Sequence, residues 1–298
     1  MDSILIESLF TEEKNNNYST WMFKNNKYIP ELNAQIYSKL PAGVYTASFD
    51  QSMYQYIITP IKETCDEIIY FDNTNFTDIL NEIKSFWAKK DVYKTYNIAH
   101  KRGVLLQGAP GTGKTMLTNA IKNNIIENDG LVFIINSVQS MQYTAHVLSQ
   151  IVRKIEPNRN IVTIIEDIDQ MIATVGNDSF ILDFLDGQMT IENQLVILTS
   201  NNTSELSEAL LRPSRIDLKY EIPNPTIEMR RIYLENKKFK PELLDKAIEL
   251  TEDYSFAKLK EVFIGVMILE KDLETVINQI NNPLLSKDYL NNETKIGI

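Results

Sequence analysis

The sequence predicts an α/β fold: a parallel sheet with helices on both faces, a helical region after it and a small strand-containing region before it. Short apolar runs alternate with segments of helical spacing through the middle of the chain. A glycine-rich loop joins one of these runs to a helix, and runs of strand character stop after Pro223. Apolar strands that are buried on both faces and separated by helices are typical of parallel sheets in three-layer folds.

Length and composition exclude several classes of protein. The chain has 298 residues, 43% of them hydrophobic, which suits about two domains. The net charge of −10 argues against nucleic acid as a partner, since phosphate backbones attract basic proteins. Cys65 is the only cysteine, so no internal disulfide can form. Because the sequence shows neither an apolar run of ~20 residues nor a basic secretory leader, we expect a cytoplasmic protein without a membrane span.

Residues 1–65 are expected to form a small appended domain that binds a partner. Two strands are predicted there, over residues 44–49 and 53–58, because aromatic and β-branched runs flank a short polar turn. Aromatic side chains on such strands most often form cross-strand contacts. We therefore assign no chemistry to this region.

Residues 66–223 are predicted to form the sheet and the helices that cover it. The predicted strands cover residues 67–71, 103–107, 131–135, 161–165 and 195–199, and the predicted helices include 76–89 and 145–155. A helical domain is predicted over residues 224–290, with helices at 227–236, 241–251, 256–269 and 273–280. Residues 291–298 are predicted to be a frayed tail.

A phosphate-binding loop is the most specific motif, and it lies between a predicted strand and a predicted helix. It fits the pattern G-x-x-x-x-G-K-[ST] and reads Gly108-Ala109-Pro110-Gly111-Thr112-Gly113-Lys114-Thr115. Backbone N–H groups of such a loop and the helix N-terminus together bind phosphate groups, and the glycines permit the tight turn. Lys114 is predicted to reach the β- and γ-phosphates and the Thr115 hydroxyl to ligate Mg²⁺. The chain is therefore predicted to bind a nucleoside triphosphate.

Acidic residues follow the strand predicted at 161–165. The carboxyl end of a parallel strand opens into the ligand crevice, which would place Glu166 and Asp167 beside the phosphates. We assign Glu166 to Mg²⁺ and Asp167 to polarising the attacking water. Asn201 follows another predicted strand and is expected to orient this water or the γ-phosphate, although alone it would be read as a turn residue.

Arg212 and Arg215 lie on either side of Pro213, after a short predicted helix. The planar guanidinium fork suits phosphate groups. We expect both arginines to stabilise transition-state charge at the nucleotide of a neighbouring subunit, which predicts a homo-oligomer. The alternative is a surface ion pair with nearby acids.

Together these motifs resemble, in their order and spacing, those of the AAA+ ATPases, and specifically of the AAA branch. Residues 108–115 resemble Walker A, 161–169 Walker B, 199–201 the sensor strand and 205–217 the arginine-finger region. Ala257 stands where other branches carry a second-sensor arginine. The resemblance implies a P-loop NTPase core of three α/β/α layers with a C-terminal helical lid, ATP hydrolysis with ATP and Mg²⁺ as cofactors, and a ring expected to contain six copies.

The sequence also departs from the usual AAA pattern. Walker B usually ends Asp-Glu, whereas this chain has Glu166-Asp167, an order that resembles the mitochondrial Rieske-protein translocase ATPases. Ser214 stands where glycine is frequent. Ile98 lies in a segment that resembles the one whose backbone meets adenine, so the resemblance implies an adenine contact there.

Two functions are predicted as alternatives. The first is a ring-forming ATPase that couples ATP hydrolysis to remodelling or translocation of an unidentified protein partner. In related rings the loop after the strand at 131–135 faces a central pore, where Tyr143 would grip an extended chain; packing of Tyr143 on its own subunit is equally compatible with the sequence. The second is an ATP-dependent switch or loader that acts on a partner or on nucleic acid without threading.

Overall fold

The computed structural model describes residues 18–24, 27–34, 37–62, 69, 71, 75–186 and 192–282, with side chains from residue 37 onward, Asn75 excepted. The chain divides into two units, residues 1–41 and 42–298. The first unit contains an antiparallel hairpin of strands β1 (Tyr18–Lys24) and β2 (Lys27–Ala34). Cys65 and the predicted tail at 291–298 lie outside the described residues.

The second unit is built on a seven-stranded sheet with the order β4-β3-β6-β7-β8-β5-β9. Its strands are β3 (Gly43–Asp50), β4 (Gln55–Pro60), β5 (Lys101–Gln107), β6 (Leu131–Ile135), β7 (Ile161–Ile165), β8 (Gln194–Ser200) and β9 (Leu218–Glu221). Neighbouring strands run parallel except β3 and β4, which form an antiparallel hairpin. The predicted α/β class is confirmed, but the sheet is mixed rather than wholly parallel.

Helices precede, interleave with and follow these strands. Those of the core are α1 (Asn75–Ala88), α2 (Lys90–Thr95), α3 (Lys114–Glu127), α4 (Val138–His146), α5 (Arg153–Ile155), α6 (Ile168–Val175) and α7 (Ser179–Asp186). The lid contains α8 (Ile227–Asn236), α9 (Pro241–Leu250), α10 (Phe256–Phe263) and α11 (Leu273–Asn281). π-Helical turns at Val147–Val152 and Ile264–Ile268 continue α4 and α10. Within the described residues, no helix is both long and apolar enough to cross a bilayer.

Two hydrophobic cores cover the two faces of the sheet. Successive strand residues point to opposite faces, so Leu106 of β5 packs in one core with α1, α3 and the lid, whereas Leu105 packs in the other with α4, α6 and α7. Every residue of β7 and β8 is buried. Burial on both faces explains why these strands read as continuous apolar runs in the sequence.

The β3–β4 hairpin belongs to the main sheet, not to an appended domain. Val44 of β3 lies opposite Val132 of β6 in the parallel ladder, and the rings of Tyr45 and Phe133 lie 5.9 Å apart. The N-terminal unit therefore ends at Pro41, which moves the predicted domain boundary from residue 65 to residue 41.

Two further differences concern single strands. Of the strand predicted at 67–71, Ile69 and Phe71 are buried but have no strand geometry, and the other three positions lie outside the described residues. Strand β9 was not predicted at all, because its alternating sequence Leu-Lys-Tyr-Glu is short and half polar.

Helix α4 begins well before the predicted start at residue 145. Ser137 caps it: its hydroxyl accepts from the backbone N–H of Ser140 at 3.1 Å, while the Ser140 hydroxyl accepts from the backbone N–H of Ser137 at 3.1 Å. This reciprocal pair satisfies N–H groups that a helix otherwise leaves unpaired. Tyr143 consequently lies on a helix and not in a loop.

Candidate nucleotide-binding site

A cleft of about 1090 Å³ lies between the carboxyl ends of the central strands and the lid. From the core it is lined mainly by the phosphate loop and the strand ends, with Pro110, Gly111, Gly113, Lys114, Thr115, Glu166, Asp167, Thr199 and Asn201. From the lid it is lined by Tyr233, Lys237, Phe256, Ala257 and Lys260. The structure thus brings most of the predicted phosphate, metal and water residues to one place.

The conformation of the phosphate loop depends on its glycines. Gly111 has φ +80° and Gly113 has φ +109°, values that residues with a side chain rarely adopt. A Cβ atom at Gly108 would lie 2.3 Å from the carbonyl oxygen of Ile222. The loop therefore follows a tight course along the cleft, which Gly111 and Gly113 line.

Lys114 places its ammonium group at the centre of this loop. Its Nζ donates to Gly108 O at 2.6 Å, to Ala109 O at 3.0 Å and to Asn201 Oδ1 at 2.7 Å. Burial lowers the pKa of Lys114, and the nearby carboxylate of Asp167 opposes this effect. Phosphate oxygens can replace these neutral acceptors, because charge-assisted hydrogen bonds are stronger.

Asn201 joins this ammonium to the predicted catalytic carboxylate. Its Nδ2 donates to Asp167 Oδ1 at 3.0 Å while its Oδ1 accepts from Lys114. Only this orientation of the amide satisfies both a cation and an anion. Asp167 is held from its backbone as well, since its N–H donates to Thr199 Oγ1 at 3.0 Å and its φ is 47°. The carboxylate therefore has a fixed position beside the loop.

The residues predicted to hold a divalent ion fit that task. Thr115 is exposed to the cleft and Glu166 lines it, so a hydroxyl and a carboxylate face the same space. Such hard oxygen donors suit Mg²⁺, which commonly takes one or two protein ligands and completes its shell with phosphates and water. Among the described residues no group of three or more His, Cys, Asp or Glu could hold a metal ion.

The two arginines predicted as a pair have different surroundings. Arg215 forms an ion pair with Asp186 of its own chain, and its Nη1 donates to Ala209 O at 2.5 Å. The hydrogen bond with Asp186 raises the pKa of Arg215. Arg212 is exposed, and within the described part of the chain its guanidinium forms no ion pair. For Arg215 the structure thus agrees with the alternative of an ion pair within its own chain, and the expected role of either arginine at a neighbour's nucleotide stays a prediction.

Ile98 is not among the residues that line the cleft. Its side chain is 60% exposed, and its N–H donates to Tyr93 O at 3.0 Å, so that N–H is not available to a base. Ile69 and Lys62 line the cleft instead. The adenine contact expected at Ile98 stays a prediction, and Ile69, which the sequence marked only as part of a strand, is a lining residue that the prediction did not include.

Tyr143 packs on its own subunit. Its ring centroid lies 6.3 Å from that of Phe49 and 6.1 Å from that of Tyr56, both on the β3–β4 hairpin. Its hydroxyl accepts from Gln139 Nε2 at 2.9 Å. Of the two alternatives for this residue, the structure agrees with packing in place of a free pore loop.

The lid touches the phosphate loop directly, a contact that the sequence analysis did not identify. The N–H of Ala257 donates to Gly111 O at 3.3 Å, and a Cβ atom at Gly111 would lie 2.7 Å from the Cβ of Ala257. The ring of Phe256, next to it, lies 5.3 Å from that of Phe71. At the position of the second sensor the lid therefore presents a backbone donor and a methyl group to the loop.

Comparison with known proteins shows which family and which proteins this chain is similar to. Residues 104–224 match the family described as "ATPase family associated with various cellular activities (AAA)". A proteasome-activating nucleotidase of Saccharolobus islandicus is 27% identical over 269 residues, which cover 80% of this chain and 66% of that protein. The probable mitochondrial chaperone BCS1-A of Dictyostelium discoideum is 29% identical over 164 residues, or 50% of this chain and 38% of that protein. The chain thus spans just under two thirds of the length of this nucleotidase.

Proposed function

On the premise that residues 104–224 form an ATPase domain of the AAA family, we propose that this protein is a ring-forming ATPase that uses ATP hydrolysis to remodel a protein partner. The family identity, and ATP with Mg²⁺ as its cofactors, agree with the sequence predictions, and the similarity to BCS1-A agrees with the resemblance drawn from the Glu166-Asp167 order. Action on proteins is supported by relatives that are named a proteasome-activating nucleotidase and a chaperone.

The observation that carries the proposal is the chain of contacts from Lys114 through Asn201 to Asp167. It links the cation that meets the phosphates to the carboxylate that would activate water. Asn201 holds Asp167 Oδ1, which leaves Oδ2 to accept a proton from the attacking water. A water molecule held there would stand beside the phosphates that Lys114 binds, in the arrangement that phosphoryl transfer requires.

The remaining residues of the cleft have supporting roles in this proposal. The loop amides and Lys114 bind the phosphate oxygens, and Thr115 with Glu166 would hold Mg²⁺. When bound, the ion neutralises charge on the phosphate oxygens. Catalysis in this scheme is mainly orientation and electrostatic stabilisation, so small displacements of these groups cost turnover more than binding.

Arg212 is the candidate for the contribution of a neighbouring subunit. It is exposed on a turn and engaged in no ion pair among the described residues. An arginine inserted next to a γ-phosphate is worth about 10³- to 10⁵-fold in turnover. A ring, with six copies as the expected number, would bring each Arg212 to the next cleft. We place the choice of partner in the N-terminal unit, residues 1–41.

The position of Tyr143 favours a second mode of action. Because this residue packs on the β3–β4 hairpin and α4 begins directly after Ser137, Tyr143 gives no support to threading of an extended chain. An ATP-dependent switch or loader that acts on a partner or on nucleic acid without threading is therefore retained as the alternative. Stimulation of ATP hydrolysis by an unfolded polypeptide would favour threading, whereas nucleotide-dependent binding of a folded partner would favour the switch.

The test combines turnover, assembly and capture. Purified protein with Mg²⁺ and ATP should hydrolyse ATP and form a larger species on size-exclusion chromatography with light scattering. Lys114→Ala should lose nucleotide binding, whereas Asp167→Asn should bind ATP, turn it over at least 100-fold more slowly and retain its partner in a pull-down. A protein that hydrolyses ATP at full rate as a monomer at every concentration would contradict the ring.

A further inference from the structure

Arg215 is fixed by contacts to both its backbone and its side chain. Its backbone lies against Gly103 of β5: a Cβ atom at Gly103 would come within 1.8 Å of Arg215 O. The next residue, Ile216, is 1% exposed and lies in the core that α6 and α7 share with the sheet. Asp217 then closes the contact, since its carboxylate accepts from the N–H of Gly103 at 2.9 Å. The backbone of this segment is therefore held against β5, with Ile216 as its buried residue.

The side chain of Arg215 is held from the opposite side by helix α7. Its guanidinium pairs with Asp186, the last residue of α7, and its Nη1 donates to Ala209 O at 2.5 Å. The end of α7 is itself held, because Lys101 Nζ of β5 donates to Leu185 O. The pair joins residues 29 positions apart in the sequence, so it fastens the arginine segment to the end of α7.

Arg212 lies at the start of the same turn. Its carbonyl oxygen accepts from the N–H groups of Arg215 at 3.2 Å and Ile216 at 3.1 Å, and its side chain is exposed. Between the two arginines, Ser214 has φ 79°, a left-handed conformation that reverses the chain. The direction in which Arg212 leaves the surface is therefore set by where Arg215 is anchored.

We propose that Asp186 and Arg215 form a positioning pair within one subunit, that this pair presents Arg212 to the neighbouring subunit, and that Arg215 itself does not reach the neighbour's phosphates. The proposal rests on the function proposed above. It separates two arginines that the sequence treats as equivalent, and it gives Asp186 a role in a reaction that takes place in the next cleft.

The first test measures steady-state ATP hydrolysis by Asp186→Asn, Arg215→Gln and the double variant. Misplacing a catalytic group by about 1 Å costs on the order of 100-fold in rate, so each single variant should lower kcat by about 10- to 100-fold and leave KM for ATP unchanged. Two residues that act as one unit are not additive, so the double variant should be no slower than the slower single variant. Asp245→Asn, which breaks the exposed Arg231–Asp245 ion pair of the lid, serves as the matched control and should retain full kcat.

If Arg215 were itself the group inserted into the neighbour, the result would be the reverse. Removing Asp186 would then release the guanidinium, and Asp186→Asn would keep or exceed the parental kcat. That outcome, or losses that multiply in the double variant, would overturn the proposal. The function proposed above would survive either result, because it fails only if the unmodified protein does not hydrolyse ATP or hydrolyses it at full rate as a monomer.

The second test shows whether the defect acts on the neighbour. Lys114→Ala subunits are inactive but carry an intact arginine segment. Mixed with Asp186→Asn subunits, they should restore hydrolysis at the Asp186→Asn clefts that receive Arg212 from a Lys114→Ala neighbour. A variant that had damaged its own cleft or its fold would gain nothing from mixing, so absence of recovery would refute the proposed role of Asp186.

Discussion

Replacing Asn201 with alanine removes the amide between Lys114 and Asp167. The variant loses the hydrogen bond from Nδ2 to Asp167 Oδ1, 3.0 Å long in the structure. A hydrogen bond to a charged group contributes about 1.5–3 kcal/mol, and each 1.36 kcal/mol of barrier is tenfold in rate. We therefore expect kcat to fall about 10- to 150-fold. Lys114 keeps its acceptors Gly108 O and Ala109 O, so nucleotide affinity should change less than threefold.

The assay is steady-state phosphate release together with a titration of a fluorescent ATP analogue. Asn236→Ala is the matched control, because its amide only donates to Ile232 O on an exposed face of the lid, and it should leave both measurements unchanged. An unchanged kcat for Asn201→Ala would show that Asp167 needs no orientation by this amide. Loss of affinity with normal kcat would mean that Asn201 acts on the bound nucleotide alone.

Three further outcomes are expected. Gly111→Ala should weaken ATP binding by tenfold or more in a titration, because a side chain at φ +80° costs about 1–2 kcal/mol and its Cβ would lie 2.7 Å from Ala257. Tyr143→Ala should keep the parental rate of ATP hydrolysis and lower the free energy of unfolding by about 1–3 kcal/mol through two lost aromatic contacts, as urea denaturation would reveal. Burial lowers the pKa of Lys114 below the ordinary lysine value of 10.5, so in the nucleotide-free protein the ammonium group loses its proton at a pH below 10.5. ATP affinity should therefore begin to decline before the pH reaches 10.5. Lys114→Arg should show no such decline.

Predictions from sequence succeeded where the physical cause is local. Strand β7 and helix α8 begin and end as predicted, because continuous apolar runs and helical spacing are read directly from neighbouring residues. The phosphate loop and the acids after β7 meet in one cleft, because both follow parallel strands, whose carboxyl ends lie at the same edge of the sheet.

Features fixed by distant contacts could not be predicted in this way. The Asp186–Arg215 pair joins positions 29 apart, and β3 pairs with β6 far along the chain; neither leaves a periodic signal in the sequence. The cap of α4 does leave a local signal in the sequence, at Ser137 and Ser140. This signal differs from the usual capping box, because serine, in place of glutamate or glutamine, occupies the third helical position.

The contact between the lid and the phosphate loop has a mechanical consequence. The carbonyl of Gly111 is bonded to the N–H of Ala257, and the neighbouring Gly113 would place a Cβ atom 3.1 Å from the ring of Phe256. The peptide units that wrap the phosphates are thus attached to the first turn of α10. A lid that swings outward must pull on this loop, so under the proposed function we expect release of ADP and rotation of the lid to be coupled.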